Sequence, residues 1–134
     1  MGNRTVLDTN IWVDFIISNR LLELTDLMEN NEVVYLRSTP SINEFKRVLA
    51  YDKFQKYGVN QKKMTQLYTA IAEHIETQAI FKDCPDKKDN FLFDLAIQGN
   101  AKYLVSRDKK VLSTPTPGTK IKKMKFPEFK EDIQ

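Results

Sequence analysis

Three short apolar runs constrain this chain more than any other feature. RTVLD at 4–8, EVVYLRS at 32–38 and KYLVSRD at 102–108 each rise from polar flanks and stop at a polar or acidic residue. Runs this short and this rich in Val and Leu read as buried strands rather than helices. Helical spacing follows the first two. Ile11, Trp12, Phe15 and Ile16 come after RTVLD, and Ile42, Phe45, Val48 and Leu49 come after EVVYLRS. Strands alternating with helices imply βαβ units and parallel pairing. ETQAIF at 76–81 adds a weak third strand and TKIKKMKF at 119–126 a fifth. The expected fold class is α/β: three layers, α/β/α, around a mainly parallel central sheet of about four to five strands.

Further helices are expected at 20–30, 60–75 and 89–98, the last stopped by Gly99. Pro40 in the first turn, with Ser38 or Thr39 as cap, starts the helix after the second strand. Residues 51–60 read as a polar, aromatic connector, and 114–134 as a C-terminal strand and a polar tail. The 134 residues suit a single domain spanning 1–134. No apolar run nears the ~20 residues of a membrane span. With no long apolar stretch behind a basic segment at the N-terminus, a secretory signal is not expected. The single cysteine, Cys84, cannot form an internal disulfide or a cysteine-based zinc cluster within one chain. A cytoplasmic setting is the expectation.

In open α/β sheets, sites form beyond the carboxyl ends of the strands. Acidic residues stand at or near these places. Asp8 ends the first strand, Asp108 follows the fourth, and Asp89 opens the helix at 89–98. Glu44 lies about a turn inside the helix that Pro40 starts. The plainest account of an acid at a helix start is capping and dipole stabilisation, and Asp89 and Asp108 fit it well. Glu44 fits it least, because it sits between Ile42 and Phe45 near an inward face. An unpaired buried carboxylate is costly. If the four converge, their mutual repulsion calls for a cation, and oxygen-only ligands suit Mg²⁺ or Mn²⁺. The one histidine, His74, is expected mid-helix as a packing or surface residue, so no histidine-based nucleophile scheme competes. Asp94, a turn and a half beyond Asp89, is expected on a solvated face.

Four segments resemble the motifs of PIN domains. VLDTNIWVDFI at 6–16 is similar to the family's first motif, a strand ending in Asp followed by Thr and Asn. SINEFKRVL at 41–49 resembles the second, CPDKKDNFLFDLA at 84–96 the third, and AKYLVSRDKKVL at 101–112 the fourth. The resemblance covers about residues 4–113, with all four motifs in order. It implies that Asp8, Glu44, Asp89 and Asp108 bind Mg²⁺ or Mn²⁺ and carry catalysis. Asn10 and Ser106 match supporting polar positions, and Asp86 a further acid beside the metal. Phe91 stands where the family often has Lys, a departure that bears on substrate contact rather than metal. The implied activity is metal-dependent endoribonucleolytic cleavage by a VapC-like toxin. The implied partners are RNA, a small antitoxin protein and a second copy in a homodimer. A catalytically inactive PIN-like module that binds RNA or protein is the alternative. A receiver-type domain lacks a suitably placed Lys after a late strand.

RNA needs basic surroundings for its phosphates. The net charge is only +3, but lysines cluster at 46–63, 82–88 and 120–130. Lys46, Arg47 and Arg107 adjoin the acidic motifs and are the expected substrate contacts. Tyr51, Phe54 and Tyr57 offer rings for stacking on bases or for a protein contact, whereas Trp12 is expected in the core.

Overall fold

The computed structural model describes residues 2–134. In chain order the elements are β1 (Asn3–Leu7), α1 (Thr9–Ile17), α2 (Leu21–Asn31), β2 (Val33–Arg37), α3 (Thr39–Leu49), α4 (Asp52–Gln55), α5 (Gln61–Ile71) and β3 (Glu73–His74). A 3₁₀ turn (Lys87–Asp89) leads into α6 (Asn90–Gln98), followed by β4 (Tyr103–Val105), α7 (Lys109–Ser113), β5 (Lys122–Met124) and α8 (Phe126–Ile133). The five strands form one parallel sheet in the order β3-β2-β1-β4-β5.

Side-chain alternation along the strands divides the core into two layers. Leu7, Val33, Tyr35, Tyr103 and Val105 face one side, where α1, α2, α3, α5 and α8 pack. Val6, Leu36 and Leu104 face the other, against α6 and α7. This is the expected three-layer arrangement. Trp12 lies in the first layer, 1% exposed, with ring contacts to Tyr35 at 5.3 Å and Tyr68 at 4.6 Å. Ser38 caps α3: its hydroxyl accepts from the Ser41 N–H while the Ser41 hydroxyl accepts from the Ser38 N–H.

Gly99 does stop α6, but by close approach rather than by left-handed backbone. A Cβ there would meet the Leu95 carbonyl oxygen at 2.6 Å and a Leu36 methyl at 2.8 Å. Asn100 takes the left-handed conformation instead, at φ 54°.

Four expectations are corrected. ETQAIF is not a strand: β3 is only Glu73–His74, paired with Leu36 and Arg37. Its partner ends there because Ser38 turns the chain into α3. The segment beyond is tied down by α6 side chains. Asp94 Oδ1 accepts from the Ile80 and Phe81 N–H groups at 3.1 and 2.8 Å, and Gln98 bonds both backbone groups of Gln78. Asp94 is therefore buried, 6% exposed, not solvated. Its charge is satisfied by chain that has no sheet to join. His74 lies on the edge strand rather than mid-helix, because α5 ends at Ile71. The supposed polar tail is α8, with Phe129 fully buried.

Candidate metal centre

Asp8 is placed by the sheet. Its N–H donates to the Val105 carbonyl at 2.9 Å, extending the β1–β4 ladder by one residue. Its side chain makes no capping bond to α1, so the capping account of this aspartate fails. One carboxylate oxygen instead accepts from the Ser106 hydroxyl at 2.7 Å. Ser106 is fully buried at the end of β4, and the same hydroxyl accepts from the Asp108 N–H at 3.0 Å. One small side chain thus fixes the first and fourth motifs together. Asp108 also caps α7, accepting from the Lys110 N–H at 2.9 Å.

Asp89 closes the 3₁₀ turn and makes no side-chain capping bond to α6. Asp86 caps that turn through a longer bond from the Lys88 N–H and lies 3.8 Å from the Lys88 ammonium. Glu44 projects from α3, where Arg47 holds it by two bonds, 3.0 Å through Nε and 2.5 Å through Nη2. Arg47 also donates to the Tyr51 hydroxyl at 2.7 Å.

Asp8, Glu44, Asp86, Asp89 and Asp108 line a single cleft of about 470 Å³, with Arg47, Lys53, Lys88 and Arg107 at its edges. Burial raises the Asp8 carboxyl above 3.8. Ser106 and the Thr9 backbone offset this, and Asp108 adds to it. Asp89 is pushed up to about 6, first by burial and then by Asp8, Asp86 and Asp108. The carboxylates therefore share one electrostatic field. Among the described residues, no three His, Cys, Asp or Glu groups already stand in a metal-binding arrangement. Glu44 is turned to Arg47, while Asp86 and Asp108 each spend an oxygen on backbone. The donor set still fits a hard divalent cation: it is oxygen throughout, with neither histidine nor cysteine, and its negative charges destabilise one another until one is neutralised.

The raised Asp89 carboxyl has a consequence for the metal-free protein. A group that holds its proton more tightly in the folded state stabilises the fold below its unfolded value. That contribution is lost as pH rises through its folded value. The metal-free domain should lose stability between pH 3.8 and about 6 from this residue. The loss should be about 1 kcal/mol once solvent screening is counted. Melting curves of wild type and Asp89→Asn in EDTA check this. The variant should be the more stable at pH 7, and the difference should shrink at pH 4. Equal curves at both pH values would count against the shared field.

Ser106→Ala should cost about 1–3 kcal/mol in urea denaturation, because it strips partners from Asp8 and from the Asp108 N–H. Divalent-cation affinity in calorimetry should fall about 10–100-fold through loss of orientation. An unchanged affinity would deny Ser106 an orienting role.

The remaining expected residues are placed as follows. Asn10 lines the cleft, but its hydrogen bond runs through its backbone carbonyl, which accepts from Arg107 at 3.2 Å. Arg107 is ion-paired to Asp14 at 2.7 Å. Lys46 is exposed and does not line the cleft. It sits one position from Arg47, about 100° around the helix. Tyr51 and Phe54 line the cleft wall; Tyr57 is exposed and does not. Asp14 and Lys53 line the cleft but were not singled out from the sequence. Asp14 follows Asn10 by four residues and so shares its helix face, a signal that was available.

Three comparisons bear on this architecture. A family model described as the PIN domain matches residues 4–110. The fold is similar to that in the crystal structure of VapBC2 from Rickettsia felis bound to a DNA fragment from their promoter. The TM-score is 0.59 at 16% identity, covering 90% of this chain and 98% of that one. No curated protein matches the sequence.

Proposed function

Because the chain belongs to the PIN domain family, we propose that it is a divalent-metal-dependent endoribonuclease and the toxin of a toxin–antitoxin pair. The observation that carries this reading is the cleft at the ends of β1 and β4, where burial and neighbouring carboxylates raise the proton affinity of Asp8 and Asp89. Asp8, Glu44, Asp89 and Asp108 would hold Mg²⁺ or Mn²⁺, with Asn10, Ser106 and Asp86 in support. When bound, such a cation supplies Lewis acidity toward a phosphodiester and a water ionised at neutral pH.

The chain's own residues do the rest. Ser106 holds one carboxylate oxygen of Asp8, a residue of the cleft lining, and so restrains its orientation. Arg47 and Arg107 stand where non-bridging phosphate oxygens would be bound. Lys53 and Lys88 add positive charge at the rim, which attracts the polyanion without entering the acidic centre. For Glu44 to serve the cation it must leave Arg47, and Arg47 then becomes available to a phosphate. Cation and substrate would thereby exchange partners across one helical turn of α3.

Purified protein should cleave single-stranded RNA with Mg²⁺ or Mn²⁺ and not in EDTA. Water attack leaves no 2′,3′-cyclic phosphate, so cyclic ends on the products would overturn the hydrolytic reading. Partners in the same reading are RNA, a small antitoxin protein and a second copy of the chain, within a single-domain cytoplasmic protein. The likeness to VapBC2 supports the antitoxin partner. Among the described residues no helix is long and apolar enough to cross a membrane. Light scattering should give a mass near twice 15.6 kDa.

A further inference from the structure

A second cavity, of about 460 Å³, shares a wall with the carboxylate cleft. Ile11, Asp14 and Arg107 line both. Its far side is built from Phe15 and Arg20 and from the β5–α8 junction at Lys125, Phe126 and Pro127. The floor is aromatic: the Phe126 ring packs on Phe15 with centroids 4.9 Å apart, and the Arg20 guanidinium lies 4.6 Å over Phe15. The rim is cationic. Arg20, Arg107 and Lys125 face a single carboxylate, Asp14, which Arg107 already pairs at 2.7 Å. Arg20 is bound to Glu23, whereas Lys125 has no carboxylate at ion-pair distance among the described residues.

We infer that this cavity is a base-binding subsite for single-stranded RNA, taking the nucleotide beside the scissile phosphate; the inference rests on the ribonuclease reading. A flat ring over aromatic carbon, edged by guanidinium and ammonium groups, is how unpaired nucleotides are held. The cavity falls in the size range of ligand sites. Its shared wall lets one strand lay a phosphate in the carboxylate cleft and the adjoining base over Phe126. Arg107, on that wall, is placed to touch the phosphate between them. The net positive rim excludes cationic ligands and favours a polyanion.

The test measures binding of a short fluorescein-labelled single-stranded RNA to the full chain in EDTA, so that cleavage does not interfere. Lys125→Glu, at an exposed side chain, should weaken binding and reduce the salt dependence by about one unit of slope. Phe126→Leu should weaken binding about tenfold through lost stacking. Its fold is checked by melting, and Lys125→Glu stands in for it if the domain is compromised. An RNA with an abasic nucleotide beside the cleavage position should bind wild type and Phe126→Leu equally. RNA binding unchanged in both variants, with metal-dependent cleavage intact, would overturn the subsite and leave the ribonuclease reading standing. Variants that weaken a protein partner but not RNA would also overturn it, in favour of a peptide groove. Variant-sensitive RNA binding without any cleavage would keep base binding in this cavity but sink the ribonuclease reading, and with it the place beside a scissile phosphate.

Discussion

Asp8→Asn should lower metal-dependent RNA cleavage about a thousandfold, a loss of about 4 kcal/mol of transition-state stabilisation at 1.36 kcal/mol per decade. The size follows from position. Asp8 is more buried than Asp89, held by Ser106 directly off the central strand, and Glu44 is engaged elsewhere by Arg47. The same substitution should not harm folding. Asparagine keeps an acceptor for the Ser106 hydroxyl and removes a charge that burial and Asp108 both disfavour. In EDTA at pH 7 the variant should melt at or above the wild-type temperature. Millimolar Mg²⁺ should stabilise wild type and leave the variant nearly unmoved, since a ligand of the native state stabilises by mass action. Cleavage within tenfold of wild type would remove Asp8 from the chemistry. A variant that melts much lower would instead make Asp8 a structural residue.

What the sequence disclosed, and what it hid, divides along physical lines. Strand ends were legible because β1, β2 and β4 lie at the centre of a parallel sheet buried on both faces, so their residues must be apolar in unbroken runs. Asp8 ends such a run directly, which set it apart, whereas Asp108 stands three residues past Val105 and read as well as a helix cap. The Glu44–Arg47 pair was hidden because sequence spacing gives a shared helix face but not which rotamer is taken. Asp94 was misjudged for a different reason. The Ile80 and Phe81 N–H groups close over it, so α6 has no solvated face there, and the all-round apolar run FLFDLAI carried that signal. ETQAIF failed as a strand because pairing depends on the length of its neighbour, which no local pattern encodes.

Phe129→Ala should cost about 3–5 kcal/mol, the range for emptying a buried phenylalanine site. A domain of this kind holds only about 5–15 kcal/mol in total, so the melting temperature should drop by about 10–20 °C. The charged run FKEDIQ suggested a polar tail, for which alanine substitutions change stability by less than about 0.5 kcal/mol. The geometry opposes that. Phe129 is fully buried, edge-on to Tyr103 at 5.1 Å and against Phe126 at 5.8 Å. The helix is pinned at its far end as well, where the Tyr103 hydroxyl donates to Asp132 at 2.5 Å and Asn31 donates to the Ile133 carbonyl at 3.0 Å. Tyr103 belongs to β4, which pairs with β1 beside Asp8, so α8 covers the sheet directly beneath the site. Phe129→Leu, which keeps most of the volume, should cost under about 1.5 kcal/mol. Below its melting temperature Phe129→Ala should still cleave RNA, because α8 carries none of the cleft carboxylates. Urea denaturation of the two variants separates the cases. A loss near zero for alanine would return residues 126–133 to the solvent, and a loss shared equally by leucine would point to strain rather than to a cavity.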